Sequence, residues 1–158
     1  MIDPMTRPKH QSQQLEYEIE ERRRAEEELK RTKELLENVF ENSVDAIGIV
    51  DEDGKFILWN RRAAEIYGYY FHEMAGKSAF DLYADPSELE KMLSRLRREG
   101  VVRECEILMK KKDGSIVPMD ISISLLKDER GRTIGSVCVA RDLSERKRAE
   151  MELKRAKE

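Results

Sequence analysis

Val117-Pro-Met-Asp-Ile-Ser-Ile-Ser-Leu-Leu126 decides the fold. Val117, Met119, Ile121, Ile123 and Leu125 are apolar, and they alternate with Pro118, Asp120, Ser122, Ser124 and Leu126. Successive side chains of a strand point to opposite faces, so the run reads as a strand with one side buried and the other mostly wet. Pro118 has no N–H to give to a ladder, which predicts an edge or a bulge there. Upstream, across the Asp113-Gly114 turn, Cys105, Ile107 and Met109 alternate with Glu106, Leu108 and Lys110. Downstream, a turn through Asp128 to Gly131 leads to a third strand, Ile134 to Ala140.

Ahead of these strands the reading changes period. Asp85-Pro86-Ser87-Glu88 is a helix start, with a cap, a proline in the first turn and an acid at the third position. Leu89, Met92, Leu93 and Leu96 then share one face, and Gly100 ends the helix. Asn60 caps a shorter helix through Tyr67, stopped at Gly68. Tyr69 to Tyr83, interrupted by Gly76, reads as two short helical turns. Ala46 to Val50 and Phe56 to Trp59 flank Asp51-Glu-Asp-Gly54 as a hairpin. Strands at both ends with helices between imply an α+β domain, an antiparallel sheet with helices on one face.

Composition says what flanks this domain. Charged residues make up 40 % of the chain and aromatics 6 %. The excess charge is concentrated: 15 of the 22 residues from Glu16 to Glu37 are Asp, Glu, Lys or Arg. Net charge is only −3, so no basic surplus points to nucleic acid. Cys105 and Cys138 fit no metal-ligand spacing and suit a reducing compartment. No apolar run approaches the about 20 residues of a bilayer span, so no membrane contact is expected and a cytoplasmic location is. Residues 1–12 read as a disordered or vector-derived end.

A repeat sets the organisation. Glu20 to Glu34 and Ser144 to Glu158 match at 11 of 15 positions, 124 residues apart. The matches include Ala25 with Ala149 and Leu29 with Leu153, so they reach beyond the charges. Leu15, Arg22, Leu29 and Leu36 fall on one heptad position, and Glu18, Ala25, Thr32 and Val39 on the position three later. Ala149, Leu153 and Ala156 continue the scheme. This is a marginal coiled-coil seam with charged flanks. The expected division is a linker helix over residues 13–37, a domain over 38–143, and the start of a second linker helix over 144–158.

Residues 38–148 resemble a PAS domain. The resemblance rests on the Asp-Gly turn with Trp59-Asn60 and Ala63, on the spacing from Tyr67-Gly68 to Gly76-Lys77, on Lys112-Asp-Gly-Ser115, and on Arg141-Asp-Leu-Ser-Glu-Arg-Lys147. It implies a five-stranded antiparallel sheet with helices over one face and, often, a ligand pocket between them. Domains of this kind occur in histidine kinases and cyclic-dinucleotide enzymes, so the implied role is regulatory and not enzymatic. Flavin-photosensing relatives carry a cysteine after the Gly-Lys pair. Here Gly76-Lys-Ser-Ala-Phe-Asp-Leu-Tyr83 has none. Haem-binding relatives place a histidine on the long helix, and Pro86 to Glu99 has none. His72 reads as a surface residue, and the two cysteines as core residues.

No catalytic or metal site is expected. No cofactor is expected either, haem least of all, although a non-covalent flavin or another small molecule stays open. If a ligand binds, the inward rows Ile107, Met109, Met119, Ile121 and Ile123, with Leu82 and Cys138, are where it is sought. Asp142, Leu143, Ser144 and Glu145 convert the last strand into the linker helix and are the expected output coupling, with Asp142 or Ser144 as the cap. Two functions compete. One is a relay between flanking helices in a parallel homodimer joined through Leu15, Ala25, Leu29, Leu36, Val39, Ala149 and Leu153, with neighbouring PAS or output domains in the parent chain. The other is an input domain with its own ligand.

Overall fold

A computed structural model describes residues 6–157, with side chains from Lys9 onward. The chain divides into two compact units, one up to Val39 and one from Phe40 on.

The first unit is built of one helix, α1 (Thr6–Glu41), whose last two residues fall in the second unit. It has no glycine, and Pro8 falls in its first turn, where no N–H is needed. Its charges pair along the helix: Arg23 reaches Glu20 at 2.6 Å and Glu27 at 3.2 Å. Exposed pairs of this spacing add only a few tenths of a kcal/mol each. The expectation of a disordered end needs correction. Residues 6–12 are helical, because Lys, His, Gln and Ser are all compatible with a helix that the following turns have already nucleated. Residues 1–5 lie outside the described residues.

The second unit holds β1 (Ala46–Asp51), β2 (Phe56–Trp59), α2 (Arg61–Tyr67), α3 (Phe71–Met74), a 3₁₀ turn over Ala79–Leu82, α4 (Pro86–Glu99), β3 (Val101–Lys110), β4 (Ile116–Lys127), β5 (Thr133–Asp142) and α5 (Ser144–Lys157). The strands form one antiparallel sheet in the order β2-β1-β5-β4-β3. The first and last strands of the sequence therefore meet at its centre. Asn60 caps α2 by accepting the Ala63 N–H, and Asp85 caps α4 by accepting the Ser87 N–H. Gly68 and Gly100 end these helices with φ of 82° and 78°, a region an L side chain enters at a cost.

Pro118 lies neither at an edge nor at a bulge. β4 runs between β3 and β5, and Pro118 sits where the β4·β5 ladder ends. Its carbonyl accepts the Leu143 N–H at 3.0 Å. An antiparallel pair normally returns a second bond, which Pro118 cannot make. The Leu143 carbonyl is thereby left for the Lys147 N–H, 2.9 Å away in the first turn of α5. A bulge does lie on β3, where Arg103 and Glu104 bow out between Val102 and Cys105, with Glu104 at a φ of 48°.

Candidate functional site

The sheet presents two small-residue rows side by side. On β1 they are Ala46, Gly48 and Val50; on β5 they are Ala140, Cys138 and Ser136, each directly opposite. Side chains this short leave space between the sheet and the helices. A cavity of about 560 Å³ lies there, roofed by α2, the 3₁₀ turn and α4. That is within the size range of small-molecule sites. Gly48 lets the Phe56 ring lie close against the sheet: a Cβ there would lie 3.0 Å from that ring. Phe56, Trp59 and Tyr67 form an aromatic wall, with ring centroids 4.9 Å and 5.3 Å apart in succession.

The structure places Leu82, Met109, Ile123 and Cys138 in the cavity wall. Ile107, Met119 and Ile121 lie outside it, packed into the core at 4 %, 0 % and 0 % exposure. The reason is volume, since large inward side chains fill space and small ones leave it. Alternating Ala, Gly, Ser and Cys at 46, 48, 136, 138 and 140 was the sequence signal for the cavity, and the methionine and isoleucine rows drew attention from it.

Burial sets the protonation of the groups around this space. It pushes the Cys138 thiol, which lines the cavity, up to about 12. Burial likewise pushes the Tyr67 and Tyr83 hydroxyls well above the usual phenol range, with Cys138 a lesser influence on each. All three stay neutral at physiological pH. Cys105 is also raised by burial, and β4 separates it from Cys138. Two strand spacings of about 4.8 Å put a disulfide between them out of reach. His72 is exposed and stacks on Tyr70. No metal-binding group of three or more His, Cys, Asp or Glu occurs among the described residues.

The strand-to-helix junction is the second feature. Asp142 Oδ1 accepts the Ser144 N–H at 2.8 Å, Leu143 is buried, and Ser144 and Glu145 open α5. Glu106 on β3 grips the same turn, accepting from Arg146 at 2.6 Å and pairing with Lys147 at 3.0 Å. Lys147 and then Arg146 hold the Glu106 carboxyl below the usual range. Sequence reading missed Glu106, because its partners lie 40 residues along the chain. The seam residues Leu15, Leu29, Leu36 and Val39 on α1, and Leu153 on α5, are exposed, as are Ala25 and Ala149.

A family model described as PAS domain matches residues 44–145. The cell-division control histidine kinase PdhS of several Brucella species is 28 % identical over 130 residues, covering 78 % of this chain. The chain spans only 12 % of that kinase. A PAS domain from Colwellia psychrerythraea superposes with a TM-score of 0.64 at 26 % identity, over 74 % of this chain and 98 % of that one. The PAS domain of an HTR-like protein from Haloarcula marismortui gives 0.61 at 27 %, over 76 % and 98 %. No helix among the described residues is long and apolar enough to cross a membrane.

Proposed function

The chain belongs to the PAS domain family, and we propose that it is a sensor-relay module that binds a small molecule in its cavity and passes the change to the flanking helices. One observation carries this reading. β5 lines the cavity through Ser136, Cys138 and Ala140, and the same strand ends two residues later at Asp142, against the first turn of α5. A ligand that shifts β5 shifts the ground on which α5 starts. The likeness to a histidine kinase of far greater length supports a place inside a longer signalling chain. The 124-residue repeat of the linker supports a serial arrangement, in which a relay works whether or not this unit holds a ligand.

Mass spectrometry of small molecules released from the denatured, purified chain tests the ligand. Wild type is expected to release a molecule that a Ser136→Leu variant, with its cavity filled, does not. Equal release from both, or none from wild type, would leave the ligand-free relay as the function.

A further inference from the structure

Two tyrosine side chains line the cavity. Tyr67 is 4 % exposed, and Tyr83 is half-buried. Neither hydroxyl is hydrogen-bonded to another described residue, although both line the cavity and both lie within electrostatic reach of Cys138. A hydroxyl that opens onto a cavity and bonds no protein group is available to a partner supplied from outside the chain. Both groups hold their protons, so each is an O–H donor.

The rest of the wall narrows the partner. Phe56, Trp59 and Tyr67 offer ring faces and edges. The charged lining residues lie at the mouth: Asp51, Glu52 and Asp53 from the β1–β2 turn, against the single cation Arg97. An anion would meet three carboxylates on entering, and inside there is no carboxylate to receive a cation.

We infer that the cavity takes an uncharged, flat, largely apolar molecule bearing a hydrogen-bond-accepting oxygen, such as an aryl ketone or quinone carbonyl, with Tyr67 and Tyr83 donating to that oxygen. This rests on the cavity being a ligand site. It sets the site against carboxylates and phosphate esters, a flavin nucleotide among them.

Equilibrium dialysis of the full chain against three probes sharing one ring system tests it. The probes are 2-acetylnaphthalene, 2-ethylnaphthalene and 2-naphthoate. The ketone is expected to bind about tenfold more tightly than the ethyl compound, the usual worth of a good hydrogen bond to a buried group, and more tightly than the carboxylate. Tyr67→Phe combined with Tyr83→Phe is expected to abolish the ketone's advantage and leave ethylnaphthalene binding unchanged. Equal binding of ketone and hydrocarbon by wild type, or tightest binding of naphthoate, overturns the ligand class and leaves the cavity as a site. Failure of every probe to bind, or binding that Ser136→Leu leaves intact, overturns the cavity reading and the inference with it.

Discussion

Asn60 is 1 % exposed and commits its whole amide to backbone. Its Oδ1 accepts from Ile47 at 2.9 Å and Ala63 at 3.0 Å, and its Nδ2 donates to Phe40 at 2.9 Å and Asp45 at 3.0 Å. One side chain thus fixes the start of β1, the start of α2 and the approach to both. Asn60→Ala would orphan four backbone groups, and a loss of about 3 kcal/mol is expected by urea titration. A loss below about 1 kcal/mol would show that water takes over these bonds. Asn60→Asp keeps the acceptors but loses both donations and is expected to be no milder. Cys138 carries a different prediction. An unfolded thiol ionises near 9, whereas the folded one keeps its proton to about 12. Its contribution is therefore fully present below pH 9 and is lost as pH rises through that window, at roughly 1.4 kcal/mol per pH unit for one such group. Melting temperature is expected to fall between pH 9 and 11, and to fall less steeply in Cys138→Ala. Parallel curves for the two proteins would mean that the thiol reaches water when folded. Tyr67 and Tyr83, raised in the same direction, contribute to the slope that remains.

The elements that read correctly from sequence are those whose causes are local. Asn60 and Asp85 cap helices within three residues of themselves, and Gly68 and Gly100 stop them one residue past their ends. The alternation of β4 is likewise written in adjacent residues. What stayed hidden depends on strand order. The cavity exists because β1 and β5, some 90 residues apart, set small rows side by side. Pro118 is tolerated in an inner strand because its partner, Leu143, is where the chain turns from strand to helix. The grip of Glu106 on α5 is equally nonlocal. That junction can be taken apart one group at a time. Asp142→Ala removes an acceptor from the first turn of α5, and a stability loss of about 1 kcal/mol is expected. Glu106→Gln leaves that acceptor and removes the charge that holds Arg146 and Lys147. Both are expected to speed amide hydrogen exchange across α5 while β4 and β5 exchange as in wild type. If α5 exchanges no faster in either variant, Leu143 burial alone anchors it. If Asp142→Ala loosens the sheet as well, Asp142 belongs to a wider polar network.

At the scale of the whole molecule, α1 raises the question of what it is for. Thirty-six residues of helix extend about 54 Å, far more than a domain needs as a cap. Leu15, Leu29, Leu36 and Val39 lie exposed along the heptad seam, and Ile19 and Leu35 flank it at positions four and six residues on from seam leucines. A lone helix gains nothing from such a stripe, while two helices in register bury it. Arg22, Glu18 and Thr32 interrupt the seam, so the pairing is expected to be reversible. A parallel pair matches like positions along both seams, and the repeat beginning at Ser144 carries the same pattern. Sedimentation equilibrium is therefore expected to give twice the 18.5 kDa chain mass, with a dimer that dissociates on dilution and a melting temperature that rises with concentration. Leu29→Lys combined with Leu36→Lys is expected to yield monomers whose domain still folds, since α1 up to Val39 is a compact unit of its own. Removing residues 1–36 is expected to do the same. A dimer that survives both changes would move the contact to the outer face of the sheet. There the half-buried Ile47, Ile49, Val137 and Val139 form the apolar surface to mutate next.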